Sequence, residues 1–246
     1  MILSILQPVY LPWLGYFEQI AYSNHFVLLD DVQYTRHDWR NRNRIKTSNG
    51  TIWLTVPVKK HPRDILINEV EIDYSKNWIR KHLGSIEFNY KMCTYFRPLF
   101  NDISEILEHK FNRLIDLDYK LIKLFCAYLD INSTISFSSD IQLPESIQDK
   151  SNNDKIINKN TRIIEICNYH NASYLYDGAK SAEFIDKERF RNSGINVIFQ
   201  NYQHHNYPQV HGDFISHLSI VDLIMNTGDM ASEILRNSPI PPELPV

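Results

Sequence analysis

Apolar residues fall in short runs separated by polar, proline-bearing stretches, and their spacing sets out alternating strands and helices. Ile2-Leu3-Ser4-Ile5-Leu6 suits a strand buried on both faces, and His25-Phe26-Val27-Leu28-Leu29 is a second such run. Between them, Gln7 to Pro12 carries two prolines and cannot be helical. From Trp13 to Ser23-Asn24 the residues Leu14, Phe17 and Ile20 recur at core-facing helical spacing. Strand, helix and strand make a βαβ unit with parallel strands. Farther on, Ser48-Asn49-Gly50 lies between Arg44-Ile45-Lys46 and Ile52-Trp53-Leu54-Thr55-Val56 and predicts a hairpin.

Leu66 to Ile72 alternates like another strand, and residues 75–131 read as mostly helical with a break near Gly84. Thr134–Phe137 is a predicted strand, and the polar stretch 144–160 a mobile surface loop. Helices are expected over Thr161–His170, Phe184–Asn192 and, last, His217–Asn226; strands over Ser173–Tyr176 and Ile195–Phe199. The tail at Pro239-Ile240-Pro241-Pro242 is expected to fray. The class is α/β, a mainly parallel doubly wound sheet with an inserted β-hairpin and a helical segment. Residues 1–246 read as a single α/β domain, with a helical subdomain over 75–131.

Composition narrows the picture. At 246 residues, 43% hydrophobic and 22% charged, the chain is neither disordered nor a coiled-coil rod. It holds only seven glycines and neither GxGxxG nor GxxxxGK[ST], so phosphate handling would fall to side chains or a helix N-terminus. Three cysteines outside CxxC or CxxH spacing argue against a disulfide framework and a zinc site, and fit a reducing cytoplasm. MILSILQP is apolar for six residues with no basic flank and is not read as a signal peptide. No apolar run reaches the roughly 18 to 20 residues of a membrane span.

The net charge of −3 disfavours a nucleic-acid partner, but its distribution is uneven. Residues 1–123 carry 17 Lys+Arg against 14 Asp+Glu, and residues 124–246 carry 9 against 15. The stretch Arg36–Lys46 alone holds four Arg, one Lys and one Asp, with Lys59-Lys60-His61-Pro62-Arg63 following. A local cationic patch on an acidic chain fits a small anionic ligand.

Four segments carry candidate chemistry. Gln7 to Tyr16 leaves the carboxyl end of the first strand, where open α/β sheets bind ligands, and Gly15 would let a backbone or phosphate approach the helix start. The same segment also reads as a rigid packed corner. Asp30-Asp31-Val32-Gln33-Tyr34 ends the second strand, where an acid can act as general base or cap a helix. In Trp39-Arg40-Asn41-Arg42-Asn43-Arg44-Ile45-Lys46, Arg offers a planar fork to phosphate or carboxylate and Asn can bond a sugar hydroxyl. On a strand, Arg44 and Lys46 share a face; the alternative is a solvated charge run. Finally, Gln203-His204-His205-Asn206-Tyr207 follows the last strand, and Asp222 is a lone charge in an apolar helix, either paired in the core or part of a site. Aromatics gather in the same segments, at Tyr10, Trp13, Tyr16, Tyr34, Trp39 and Tyr207.

QPVYLPWLGYF, LDDVQYTRHDWRNRNRIK with the hairpin ending in WLTVPV, and the late YQHHNYPQ and FISHLSIVDLIMNTG together resemble the WbqC-like family over nearly the whole chain. The resemblance implies a cytoplasmic role in bacterial surface-polysaccharide (O-antigen) biosynthesis, adding an acyl or aminoacyl group to the amine of a nucleotide-linked amino sugar. It carries over Gln7, Tyr10, Gly15, Tyr16, Asp31, Gln33, Trp39, Asn41, Arg42, Asn43, Lys46, His204, Tyr207 and Asp222; Arg44 joins them from the strand pattern. Asp31 or His204 is then the expected proton acceptor, the others binding substrate, with no metal and with ATP as a candidate co-substrate. His205 stands where the family is expected to favour Pro. The opening βαβ is also similar to adenylyl transferases such as pantoate–amine ligases. Their HxGH aligns with Trp13-Leu14-Gly15-Tyr16, so both histidines are missing here. The alternative is a non-catalytic nucleotide-sugar-binding or scaffolding protein of the same pathway.

Overall fold

The computed structural model describes residues 1–142 and 155–245. Strands β1 (Ile2–Leu6), β2 (His25–Leu28), β5 (Thr134–Phe137), β6 (Tyr174–Asp177) and β7 (Asn196–Phe199) form one sheet in the order β5-β2-β1-β6-β7. Every pairing in it is parallel, Leu3 facing His25 and Ile2 facing Tyr174 on the two sides of β1. Strands β3 (Arg42–Thr47) and β4 (Gly50–Thr55) form the separate antiparallel hairpin. Counting only the sheet strands, the order is that of doubly wound nucleotide-binding sheets, and it reverses between β1 and β6.

Both faces of the sheet are covered because the strands alternate two apolar sets. Leu3, Ile5, Val27 and Leu175 pack with Ile163, Ile166 and Cys167 of α5 (Lys155–Tyr169) and Phe190 of α6 (Lys187–Asn192). Phe26 and Leu28 turn to the other face, against Leu14, Phe17 and Ile20 of α1 (Leu14–Ala21). The same core continues through α2 (Trp78–Tyr90), α3 (Phe96–Glu108) and α4 (Leu114–Tyr128) to the hairpin residues Ile45 and Leu54 and to α7 (Ile220–Thr227).

Several expected boundaries move, each for a local reason. Leu66 to Ile72 is no strand. Ile67–Glu69 is a 3-10 turn, because the Glu69 carboxylate accepts from the Leu66 N–H at 3.2 Å. Helix α2 runs through Gly84, whose cost of ~1 kcal/mol against Ala is outweighed by burying Trp78, Ile86 and Tyr90. The chain turns instead over residues 91–95. Of the loop expected over 144–160, residues 144–154 lie outside the described ones. Residues 155–160 are helical, and Asn160 is buried with its side chain bonded to Phe184 O at 2.8 Å and Asp186 N at 2.9 Å. Helix α6 starts at Lys187, capped by Asp186, with a 3-10 turn Ala179–Glu183 ahead of it. Helix α7 is followed by α8 (Ala231–Arg236) across Gly228 at φ 55°. The tail expected to fray is docked: Ile240 and Leu244 pack on Ile2, Tyr176 and Ile198.

A buried polar network ties α1 to the switch in strand order. Ser4 Oγ donates to Tyr176 O at 2.6 Å, and Tyr176 OH donates to Glu18 Oε1 at 2.7 Å. Gln200 Nε2 donates to Glu18 Oε2 at 2.5 Å and to Gly15 O at 2.7 Å. Burial lifts Glu18 from 4.5 to about 6, against the bonds from Tyr176 and Gln200. The folded chain therefore holds this proton more tightly than the unfolded chain, and stability falls as pH rises from 4.5 to 6. Chemical denaturation across pH should show wild type losing about 2 kcal/mol relative to Glu18→Gln over that window, and nothing further above it. A pH-independent difference would show that Glu18 titrates normally.

Candidate functional site

Three segments meet beyond the carboxyl ends of the strands: the loop 7–13 after β1, the hairpin after β2, and the loop 200–219 after β7. The first is held in a strained shape, Leu11 at φ 46°, by Asn43, whose Nδ2 donates to Leu11 O at 2.8 Å. Arg40 Nη1 reaches Pro8 O at 3.3 Å and Tyr10 N reaches Trp39 O at 3.3 Å. Tyr10 OH bonds His82 Nδ1 at 3.0 Å, while His82 Nε2 bonds Thr55 O at 3.2 Å. Since a carbonyl only accepts, Nε2 carries the proton and Tyr10 is the donor. Burial lowers His82 to about 4, consistent with that neutral tautomer.

On this frame lies a continuous aromatic and cationic shelf. Trp13 stacks on His217 (centroids 5.4 Å, planes 17° apart), with His204 4.2 Å from His217 and Tyr202 edge-on to Trp13 at 5.5 Å. Arg44 Nη2 reaches His217 O at 3.4 Å, and its guanidinium lies 5.6 Å from the Trp53 ring centre, directly across the hairpin. Arg42 sits over the same ring at 4.4 Å, and Trp39 packs on Trp53 at 5.1 Å. Trp39 and Trp53 remain 39% and 45% exposed, unusual for indoles. Both ring nitrogens of His204 are buried, and neither has a hydrogen-bond partner among the described residues. Burial, and then the neighbouring His217, push His204 down to about 4; burial and Arg44 lower His217. Both imidazoles are bases held uncharged at neutral pH.

Gly15 has a role other than the one its position suggests. A Cβ there would lie 2.2 Å from Trp13 Cη2, because the indole folds flat over the glycine. The space at the helix start is filled by Trp13, and Gly15 serves the shelf by seating that ring.

The expected residues divide by burial. Trp39, Arg42, Arg44 and His204 lie together on the shelf. Asn41, Asn43, Lys46, Tyr10, Tyr207 and Asp222 are buried and occupied with protein partners. Lys46, expected on the open face beside Arg44, is 2% exposed. Its Nζ donates to Gln209 Oε1 at 2.9 Å and to Asp213 O at 2.5 Å. Asp222 accepts from Tyr90 OH, Tyr207 OH and Gln209 Nε2, each at 2.8 Å. Its burial raises its pKa against those three bonds and the charge of Lys46. Asn41 Nδ2 bonds Val56 O at 2.7 Å, closing the base of the hairpin.

The rest lie apart from the shelf. Asp31 is paired with Arg162 and accepts from Ser138 Oγ. Gln33 is exposed and bonds Arg63 O at 2.8 Å. The Gln7 carbonyl accepts from Tyr16 OH at 3.3 Å. Trp53, His217 and Tyr202 belong to the shelf although their residue types in sequence did not single them out. For Trp53 the signal was present in the hairpin register opposite Arg44.

Gly15→Ala should expel the Trp13 indole, costing about 1–3 kcal/mol in denaturation and shifting the tryptophan emission. An unchanged emission would mean that the ring is seated by other contacts. In an NMR titration His204 should stay neutral from about pH 8 to about pH 5.5 and charge near a midpoint of about 4. A midpoint near 6.5 would mean that water reaches both nitrogens freely.

Among the described residues no helix is long and apolar enough to cross a membrane. The profile of the WbqC-like protein family matches residues 7–234. The uncharacterized protein Rv1507c of Mycobacterium tuberculosis is 34% identical over 236 residues, covering 95% of this chain and 96% of that one. No solved structure matches. The family match spans every segment that builds the shelf, and the chain belongs to the WbqC-like protein family.

Proposed function

We propose that the protein forms an amide on the amine of a nucleotide-linked amino sugar, as an enzyme of bacterial surface-polysaccharide (O-antigen) biosynthesis acting in the cytoplasm. The observation that carries this reading is the shelf. Two half-open indoles offer stacking faces to a nucleobase, and Arg42 and Arg44 beside them offer planar forks to a diphosphate. The imidazole of His204 lies at the other end, uncharged, its two unpartnered nitrogens buried among Trp13, Tyr202 and His217, so the ring must turn out of that packing to meet a substrate. There the sugar amine attacks the carbonyl carbon of an activated acyl donor, an adenylate made from ATP or a thioester. The C–N bond forms, AMP or thiol leaves with the electron pair of the broken bond, and the amine's proton passes to His204.

Asp31 supports a second reading. Its pairing with Arg162 removes one of the two expected bases, as suits a non-catalytic nucleotide-sugar-binding or scaffolding protein of the same pathway.

Incubating the protein with nucleotide-linked 3- or 4-amino sugars, an acyl or amino-acid donor and ATP separates the two. The enzyme reading expects a sugar-nucleotide product heavier by the acyl group, with the rate lowered about 10²–10⁴-fold by His204→Ala. Calorimetric binding of the nucleotide sugar without any product would favour the second.

A further inference from the structure

Strand β7 is the last of its sheet, paired with β6 on one side only. The N–H groups of Asn196 and Gln200 bond the β6 flank, at Ser173 O and Asp177 O. Alternation along the strand therefore points the N–H and C=O of Val197 and Phe199 the other way. Among the described residues neither of these two amides, nor either carbonyl, has a hydrogen-bond partner. Natural edge strands are commonly blunted by a proline, a bulge or an inward-pointing charge. Asn196-Val197-Ile198-Phe199 has no proline and no charge, and it pairs with β6 in unbroken register.

A groove of about 530 Å³ runs along this edge. The strand is its floor, and its two rims come from opposite faces of the sheet. Val197 and Phe199 lie on the face packed by α6, whose exposed Lys187 and Arg191 form one rim. Lys187 Nζ stands 4.6 Å from the Phe199 ring centre. Ile198 lies on the face where the tail packs, and Pro241 and the exposed Glu243 form the other rim. None of the groove's residues belongs to the shelf.

A small anion would meet the two cations but leave the four backbone groups unanswered, whereas an extended peptide meets both. A second copy of this chain, pairing β7 with β7 antiparallel about a two-fold axis, keeps each face of the sheet on its own side. Lys187 and Arg191 would then face the same cations across the axis, and Glu243 another Glu243. Like charge meets like on both faces. A segment of a different protein, with acids on the side toward α6, has no such conflict. The spacing also suits it. Four residues of helix rise about 6 Å and alternate side chains of a strand lie about 7 Å apart, so acids at i and i+2 reach both cations.

The geometry points to β7 as a strand-addition site for an extended, acidic segment of a partner protein, its backbone on Val197 and Phe199 and its carboxylates on Lys187 and Arg191. The main-chain bonds recognise an extended backbone, and the rim selects its charge.

The test uses the whole chain and an end-blocked octapeptide of alternating glutamate and valine. A lysine–valine analogue and an N-methylated glutamate–valine peptide, which cannot donate, are the controls. Without peptide, amide hydrogen exchange should be fast at Val197 and Phe199 and slow at Ile198, whose amide faces β6. Fluorescence anisotropy should show the glutamate–valine peptide binding and both controls failing, and that binding should slow exchange at Val197 and Phe199. The double variant Lys187→Glu, Arg191→Glu changes only exposed side chains outside the shelf. It should weaken the glutamate–valine peptide about tenfold or more and admit the lysine–valine peptide instead. Failure of the octapeptide to bind, equal binding of its N-methylated form, or undiminished binding by the double variant would each overturn the proposal. Protection of Val197 and Phe199 that grows with protein concentration alone, alongside a dimer in sedimentation, would assign the edge to a second copy and overturn it equally.

Discussion

Asp222 has no exposed surface, yet it receives three hydrogen bonds from two separate parts of the chain: Tyr90 on α2, and Tyr207 and Gln209 in the loop after β7. Gln209 in turn accepts from Lys46 on the hairpin. A carboxylate buried in this way is costly unless each lone pair finds a donor, and removing any donor leaves the charge uncompensated. The carboxylate therefore fixes where the loop 201–219 crosses the hairpin. That crossing places His204 and His217 beside Trp13 and Arg44. The shelf is on the surface, but its geometry is set by a charge below it.

The same division explains what could be read from the sequence. The parallel strands and their helices were legible because alternating apolar runs report burial on two faces, and Asn49-Gly50 announced the hairpin by its turn chemistry. Lys46 was misleading: alternation put it beside Arg44 correctly, but nothing local reveals that Gln209 and Asp213 cover it from more than a hundred and sixty residues away. Gly15 misled for the opposite reason. Its neighbour two positions earlier fills the space that a glycine at a helix start usually leaves for a ligand.

Among the described residues seven non-glycine residues sit at positive φ, and three of them lie in the segments that build the site. Leu11, His37 and His217 all sit in the left-handed region at φ 46°, 60° and 58°, in the loop after β1, ahead of the hairpin and at the edge of the shelf. Each such residue costs of order 1–3 kcal/mol and persists only when its surroundings over-determine it. For Leu11 the compensating contact is the Asn43 amide, and His217 is held by Arg44 at its carbonyl and Trp13 at its ring. Asn43 and Arg44, adjacent on β3, thus stabilise two strained loops from opposite faces of one strand.

Alternation along the hairpin and the turn before it also accounts for how a chain with seven glycines could handle phosphate. Backbone cradles need glycine; a strand needs only that successive side chains point opposite ways. Outward, Arg42, Arg44, Trp39 and Trp53 make a surface suited to a nucleotide. Inward, Asn43 and Arg40 reach the loop after β1. Arg40 donates to the Pro8 carbonyl, so a guanidinium from the turn before the hairpin also sets the position of the loop carrying Trp13. The loop and the shelf it carries are consequently held from the hairpin side by two side chains, Arg40 and Asn43.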